Sequence, residues 1–346
     1  MADSDLVSHR TAIVSLLVLT VLAYANSFYG TFQFDDLSAI LEDPRLENPS
    51  VFLSHLGQMV RPFLKLTFMV DRQVYGDIPT GYHLLNFLLH LGSALLIYGI
   101  LFDSLRLYRK KGNGAADAGF FGVPFWTALL FLIHPIGTEA VTYISGRPTG
   151  LMAFFYLVAF YLYLRSTGTE EGRAKFFPWY PAALLSFGLS LLSKEAAITL
   201  PVALFVFDAV IRRQKGGDLL RSFFRLHLPF WAILFLFLLF GAFHPRYSFL
   251  FRYSFEVRPL YENFLTQVNT IVYALSLFFL PGRQNFDHDL PVFTSILQGP
   301  VFFFSHFLGC SYGRGLPLSS PGAFFFFRRS VVLPPPDPHE FAPSPV

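Results

Sequence analysis

The chain has 346 residues, of which 53% are hydrophobic and only 14% charged, and its mean hydropathy is +0.48. An ordinary soluble domain carries about a quarter charged residues, so this composition excludes a soluble globular protein and predicts an all-α polytopic membrane protein. The net charge of +3 is too small to indicate nucleic-acid binding, and the single cysteine, Cys310, excludes an internal disulfide framework and a multi-cysteine metal site.

The first predicted element is an apolar run over residues 11–28, and no charged residue follows Arg10 until Asp35. At about 1.5 Å per residue, a helix of this length crosses a hydrocarbon core of roughly 30 Å. A cleavable signal peptide is the alternative, because a basic residue precedes the run and small residues such as Ala23 lie near its end. We favour a membrane span, since the run is longer than a usual signal core and several equally apolar runs follow.

Two adjacent carboxylates, Asp35 and Asp36, come a few residues after this span. Ionisable groups in a membrane environment are energetically costly, so those that are present usually have a function. The pair therefore predicts a catalytic or ligand-binding site on the far face of the membrane.

The first outer segment, roughly residues 29–81, mixes charged and apolar residues. Between residues 49 and 75 the apolar residues recur at near-helical spacing, which predicts helices that lie along the membrane interface. Such helices can cover a site at the membrane surface, and Arg61 lies among them. A solvated amphipathic surface loop is the alternative.

Further apolar runs predict the remaining membrane spans, which brings the total to about eight transmembrane helices. These runs lie near residues 82–102, 121–139, 149–164, 179–193, 196–211, 227–243 and 264–281. Asn86 and His90 are four residues apart in the second span and share one helical face. We therefore expect that span to face protein or a wet cavity.

Basic residues cluster after every second span. They are Arg106, Arg109, Lys110 and Lys111, then Arg165, Arg173 and Lys175, then Arg212, Arg213, Lys215, Arg221 and Arg225. Because basic loops stay in the cytoplasm, the loops after spans one, three, five and seven are predicted to lie outside, in a lumen or periplasm.

The third span ends in a short hairpin that carries His134, Glu139 and Arg147. A guanidinium can engage two phosphate oxygens at once, which makes Arg147 a candidate phosphate ligand. The alternative is that Arg147 extends to lipid head groups and that His134 caps a helix end.

Lys194 and Glu195 stand together at a break between the fifth and sixth apolar runs. A charged pair inside so much apolar sequence favours a functional role, with Lys194 as a second candidate ligand for an anion. An internally neutralised structural pair has the same appearance in sequence.

The predicted outer face thus presents paired carboxylates and at least two cations. Carboxylates can handle a hydroxyl nucleophile while cations hold a departing phosphate. A phosphate-linked group on a membrane-bound carrier, such as a polyprenyl-phosphate sugar, fits this combination.

A succession of short motifs resembles the membrane half of the tetratricopeptide-repeat O-mannosyltransferases and their bacterial relatives, which are GT-C glycosyltransferases. The resemblance covers roughly residues 10–295. The motifs are Phe34-Asp35-Asp36, Arg61-Pro62 with Thr67, Gly81 to Asn86 with His90, His134-Pro135-Ile136 through Glu139 to Ser145-Gly146-Arg147, and Ser193-Lys194-Glu195.

The resemblance implies a GT-C bundle and an inverting transfer of a sugar, which the family suggests is mannose, from a dolichyl- or undecaprenyl-phosphate donor to a protein hydroxyl. It implies a site on the luminal or periplasmic face of the endoplasmic reticulum or bacterial inner membrane. Asp35 or Asp36 would be catalytic. The implied substrate-binding residues are Arg61, His83, His134, Glu139, Arg147, Lys194 and Glu195. An Asp pair can also bind a divalent ion, but the donor class favours no metal and no cofactor.

The C-terminal part departs from the family pattern. No run of 34-residue repeats is visible, and residues 298–346 are rich in Phe and Pro. We expect residues 1–297 to form the transmembrane domain and the tail to be a frameshifted or truncated sequence, with a disordered Pro-rich tail as the alternative. On that view, the chain can be an inactive fragment.

The triplet Asp287-His288-Asp289 has a metal-binding composition, but strict alternation of the spans places it on the cytoplasmic side. We interpret it as a polar interfacial turn, unless the helix near residues 264–281 re-enters without crossing.

Two other function classes stay open. A transporter would carry ionisable residues or breaks near mid-membrane in two matching halves, and no such internal repeat is visible. A non-catalytic membrane scaffold would not need paired carboxylates in an outer segment.

Overall fold

The computed structural model describes residues 3–110, 122–167, 173–212, 216–283 and 291–295. These ranges are α-helical with short 3-10 and π segments, and they contain no β-strand. The chain divides into two units, residues 1–250 and 251–346. All the predicted site residues lie in the first unit.

Within these described ranges, four helices are long and apolar enough to cross a membrane: His9–Tyr29, Pro79–Arg109, Ile144–Thr167 and Leu220–Phe243. A fifth candidate consists of two helices, Val123–Ile133 and Pro135–Thr142, bent by 54° at their junction. Proline lacks the amide hydrogen that would continue the first of them. The described residues thus confirm an all-α multi-pass architecture, but not the predicted count of about eight spans.

The predicted fifth span corresponds to α8 (Arg173–Leu191), which contains two prolines, and the predicted sixth span corresponds to the short α9 (Leu200–Val210). A 3-10 turn over Glu195–Thr199 lies between them. The 11 residues of α9 rise only about 16 Å, roughly half of a hydrocarbon core.

The helices of the first unit pack around α4 (Pro79–Lys110) and α7 (Arg147–Thr167). The first contacts α1 (Asp3–Tyr24), α5 (Val123–Ile133) and α7, and the second also lies along α8. Asn86 and His90 are buried in α4, which confirms that this face contacts protein. Large apolar side chains stay exposed elsewhere, as expected of surfaces that face lipid.

The first outer segment is folded into short helices, as predicted. α2 (Pro49–His55) and α3 (Pro62–Tyr75) follow a π turn at Leu37–Leu41 and a 3-10 turn at Pro44–Leu46. The Asn48 side chain caps α2 by accepting a hydrogen bond from the Val51 amide at 3.0 Å. These elements share an apolar core formed by Ile40, Leu46, Phe52, Met59, Leu64 and Phe68.

A buried carboxylate, Asp43, fixes this segment. Its oxygens bind Arg45 Nε at 2.7 Å and Lys65 Nζ at 2.8 Å. Burial by itself would raise the pKa of Asp43, but these two cations lower it to about 2. The segment therefore has an internal ionic anchor between its π turn and α3.

Five more α-helices lie in the described residues: α6 (Thr138–Thr142), α10 (Gly216–Ser222), α11 (Leu228–Phe243), α12 (Pro245–Val257) and, in the second unit, α13 (Leu260–Phe279). In that unit, the Phe293 amide donates to Thr266 Oγ1 at 3.2 Å. The triplet at residues 287–289 and the tail at residues 298–346 lie outside the described residues.

Candidate active site

The two adjacent carboxylates have different environments. Asp36 is 1% exposed, and its two oxygens accept hydrogen bonds from the amides of Gln33 at 3.0 Å and Ser145 at 2.8 Å. Asp35 is exposed. The pair therefore consists of one carboxylate fixed by the backbone and one that is open to a ligand.

A strained backbone conformation presents Asp35. The preceding residue, Phe34, has φ +48°, and the Asp35 amide donates to the hydroxyl of Tyr143 at 3.2 Å. Phe34 and Arg61 are the two non-glycine residues with positive φ in the part of the chain that the structure describes. Such strain persists where surrounding contacts impose it, and it clusters at functional sites.

The hairpin between the third and fourth spans lies against this turn. It contains α6 and a 3-10 turn at Ile144–Gly146. A Cβ atom at Gly146 would stand 2.5 Å from the carbonyl oxygen of Glu139, so only glycine permits this approach. Glu139 itself is exposed. The Nδ1 atom of His134 accepts from the Ile136 amide at 3.2 Å, which matches the helix-capping alternative.

Arg147 is fully buried, with 0% exposure, and its guanidinium is enclosed by protein groups. It contacts Asn86 Oδ1 at 2.8 Å, Tyr82 O at 3.0 Å, Thr67 Oγ1 at 3.2 Å and Asp71 Oδ2 at 2.6 Å. Its plane also lies over the Phe68 ring at 4.4 Å.

The structure thus gives Arg147 a different environment from the one expected of a phosphate ligand. Its hydrogen-bonding groups face α3 and α4, and none of its surface is accessible to a phosphate-bearing ligand. The sequence analysis did not single out its partner, Asp71. Burial raises the pKa of Asp71, and the adjacent guanidinium opposes that rise.

Arg61 and Glu195 form an ion pair at the surface. Arg61 Nε lies 3.1 Å from Glu195 Oε1 and Arg61 Nη2 lies 2.8 Å from Oε2, a two-pronged contact. The side chains are 34% and 37% exposed. Burial would raise the pKa of Glu195, but hydrogen bonds, chiefly from Arg61, lower it. Tyr247 also hydrogen-bonds to this carboxylate.

Lys194 lies next to this pair. Its Nζ donates to Thr149 Oγ1 at 2.8 Å, in the first turn of α7. Burial lowers the pKa of Lys194, and Arg61 lowers it further, whereas Glu139 and Glu195 oppose the shift. These four charged residues are therefore close enough to interact electrostatically.

The hairpin connects the carboxylate turn to the cations. The Ser145 amide binds Asp36, and Thr149, four residues later, binds Lys194. The structure therefore brings Asp35, Asp36 and Lys194 to one short stretch of backbone, with Arg61, Glu139 and Glu195 beside Lys194.

His83, another predicted ligand residue, is buried in α4 at 1% exposure. Its ring packs so close to Gly30 that a Cβ atom there would lie 2.8 Å from Nε2. Within the described ranges, no group of three or more His, Cys, Asp or Glu side chains is placed to hold a metal ion.

A second buried polar group lies at the other end of α7. Asp208 Oδ2 accepts from the Tyr163 hydroxyl at 2.6 Å and lies 3.1 Å from His227 Nε2. Arg212 Nε lies 3.4 Å from Asp208 Oδ1, and its guanidinium also contacts Thr167. This group was not predicted from the sequence, although a carboxylate inside an apolar run with a basic residue four positions later was a usable signal.

Comparison with known proteins identifies similar chains. Protein O-mannosyl-transferase TMTC4 of Homo sapiens is 30% identical over 213 residues, which cover 56% of this chain and 28% of that protein. Protein O-mannosyl-transferase TMTC3 of Mus musculus is 32% identical over 216 residues, or 57% of this chain and 21% of that protein. The chain resembles protein O-mannosyl-transferases. This confirms the resemblance inferred from the motifs.

Protein O-mannosyl-transferase F38B6.6 of Caenorhabditis elegans shows the same pattern, with 28% identity over 60% of this chain and 29% of its own length. The chain therefore spans less than a third of the length of these relatives. No family model and no solved structure matches it. Together with the apolar helices, the relatives support a multi-pass membrane protein.

Proposed function

We propose that the chain is a membrane glycosyltransferase that moves a sugar, taken here as mannose, from a polyprenyl-phosphate donor to a protein hydroxyl. The proposed active face is luminal or periplasmic. The observation that carries the proposal is the placement of the exposed Asp35 and the cation Lys194 on either side of residues 145–149. The names of the relatives support the choice of mannose and of a protein acceptor.

Asp35 is the proposed general base. The acceptor oxygen attacks the anomeric carbon on the face opposite the phosphate, and the Asp35 carboxylate takes the hydroxyl proton. The bond from the anomeric carbon to the phosphate oxygen breaks, and its electron pair stays on the phosphate. The sugar therefore leaves with inverted configuration.

Asp36 has a different proposed role. Both of its oxygens accept backbone amide hydrogen bonds, so this carboxylate holds the turn that presents its neighbour. The strained Phe34 and the Tyr143 contact fix the direction of Asp35 from the other side. A preorganised base avoids the cost of ordering it during the reaction.

Lys194 and Arg61 are the proposed ligands of the donor phosphate. Negative charge grows on this phosphate as the sugar leaves, and nearby cations stabilise that charge. Lys194 Nζ contacts Thr149 in the first turn of α7, where the helix dipole also favours an anion. Glu195 forms the ion pair with Arg61, and the exposed Glu139 is a proposed acceptor contact. Arg147 is not part of this group, and we assign neither His83 nor His134 a direct contact.

A transfer assay tests the proposal. The purified protein in liposomes is supplied with labelled polyprenyl-phosphate mannose and peptides rich in Ser and Thr. We expect Asp35→Asn to lower the transfer rate by about 10²–10⁴-fold, the usual contribution of a general base, while donor binding persists. Glu42→Gln, the same change at an exposed position of the first outer segment, is the matched control.

Undiminished transfer by Asp35→Asn would contradict the assignment of the base. A wild-type protein that binds donor without transferring mannose would contradict the proposed function and favour a scaffold. Movement of the intact donor across the bilayer would favour a transporter.

A further inference from the structure

Arg147 stands in the middle of the backbone that carries both halves of the site. Two residues before it, the Ser145 amide binds Asp36, and two residues after it, Thr149 binds Lys194. Two residues span at most about 7 Å of extended chain. A shift of Arg147 therefore moves both contacts.

The guanidinium connects this backbone to two other helices. Its contacts with Thr67 and Asp71 reach α3, and its contacts with Tyr82 and Asn86 reach α4. Thr67 and Asp71 are four residues apart in α3, so they present their polar groups on one face. Three elements therefore meet at one buried cation.

Asn86 supports the same hairpin from a second direction. Its Oδ1 accepts from Arg147, and its Nδ2 donates to the carbonyl oxygen of Tyr143 at 3.1 Å. Tyr143 in turn contacts the Asp35 amide through its hydroxyl. A continuous series of contacts thus leads from Asp71 to the proposed base.

We propose that Asp71 and Arg147 are positioning residues that hold the Ser145–Thr149 backbone at the distance from α3 and α4 that transfer requires. This inference rests on the proposed function. Asp71 is 5% exposed and lies on the side of Arg147 that faces α3, so it acts through Arg147 and does not touch substrate. It gives the buried cation the charge partner and the direction that fix the hairpin.

The buried group at the other end of α7 offers a matched control. Asp208 is also fully buried beside an arginine, and it lies against the same helix. Asp71→Asn and Asp208→Asn make the same chemical change in equally buried ion pairs. Both variants should lower the thermal unfolding midpoint, but only Asp71→Asn should disturb the hairpin.

The first measurement is hydrogen exchange in lipid nanodiscs, which needs no enzymatic activity. We expect peptides covering residues 143–149 to exchange at least about 10-fold faster in Asp71→Asn, because their amides lose fixed partners. The same peptides should keep the wild-type rate in Asp208→Asn. Unchanged exchange in Asp71→Asn, or equal acceleration in both variants, overturns the proposal whether or not the protein transfers mannose.

The second measurement separates positioning from ligand binding in the transfer assay. We expect Asp71→Asn to lower kcat by about 10–100-fold, as small displacements of reacting groups do, while the donor KM changes less than about 3-fold. Asp71→Glu, which keeps the charge, should restore part of kcat. Tighter donor binding with unchanged kcat in Asp71→Asn would show that Arg147 is a phosphate ligand. An equal loss of kcat in Asp208→Asn would show a structural role alone.

Discussion

Buried ion pairs of the same chemistry lie near the two ends of α7, in different settings. At one end, Arg147 pairs with Asp71 and its guanidinium lies over a Phe ring. At the other end, Arg212 pairs with Asp208 and its guanidinium lies 5.6 Å from the centre of the Tyr163 ring. The positions of Arg147 and Tyr163 in one helix place these ends about 24 Å apart.

The surroundings of the two pairs differ. Partly or fully exposed charged side chains surround the hairpin that carries Arg147, namely Asp35, Arg61, Glu139, Lys194 and Glu195. The acceptors and donors around Asp208, such as Tyr163, Ser222 and His227, are buried. A buried ion pair therefore does not identify a site by itself. The accessible charges beside it do.

Replacing the charged residues of each pair by apolar ones tests this comparison, and it gives the largest expected change in the free energy of unfolding. Arg147→Met leaves Asp71 buried without a partner, so we expect the free energy of unfolding to fall by about 3–5 kcal/mol. Adding Asp71→Leu removes the orphaned charge and should recover part of that loss, although Asn86 Oδ1 and the Tyr82 carbonyl still lack the donor that Arg147 supplied. Denaturant unfolding in detergent micelles measures both steps.

The equivalent pair of changes at the other end should recover a smaller part of the lost stability. In Arg212→Met with Asp208→Leu, the Tyr163 hydroxyl and the His227 ring lose their shared acceptor. Each buried polar group left without a partner costs about 1–3 kcal/mol. Equal recovery at both ends would show that the two settings are energetically the same.

The pH dependence of stability gives a smaller expected effect. The pKa of Asp43 is about 2 in the folded protein and near 3.8 when the carboxylate has no contacts, as in the unfolded chain. The ionised carboxylate therefore stabilises the folded protein fully above about pH 4, and this contribution is lost as the pH falls toward 2. A shift of this size corresponds to roughly 2 kcal/mol.

Unfolding of the wild type and Asp43→Asn at pH 6 and pH 3 measures this contribution. We expect the difference in stability between the two proteins to be smaller at pH 3. An unchanged difference would mean that the Asp43 carboxylate does not become protonated in this pH range. Asp43 would then not differ in this respect from the buried pair at Asp208.

The surface ion pair gives the smallest expected effect. Because Arg61 and Glu195 are both partly exposed, Glu195→Gln should change the free energy of unfolding by less than about 1 kcal/mol. The same substitution frees Arg61 for the proposed donor phosphate, so the donor KM should fall by about 2–5-fold, within the range of one charge contact. An increased KM would mean that Glu195 holds Arg61 in its binding position, and Asp77→Asn is a control at another exposed carboxylate.

Local patterns predicted part of this molecule. An uncharged run of sufficient length predicted the first span, and the spacing of Asn86 and His90 predicted the buried face of α4. The run at residues 196–211 predicted another span, but the 3-10 turn over Glu195–Thr199 shortens that helix. Hydropathy averages over such a turn and does not show where a helix begins.

The site required tertiary information that no local pattern contains. Asp35 and Asp36 are chemically identical, and their difference arises from the amide of Ser145, more than a hundred positions later. Arginine at a span end fits both phosphate binding and a buried ion pair. The choice between these roles depends on whether α3 places a carboxylate beside Arg147, which only packing decides.

The close approach at Gly146 has a consequence for inheritance. The methyl group of alanine is the smallest side chain after hydrogen, and it already collides with the Glu139 carbonyl. Every missense change at this codon therefore forces Gly146 away from the Glu139 carbonyl and distorts the hairpin. Gly146 therefore limits which amino-acid substitutions this hairpin tolerates.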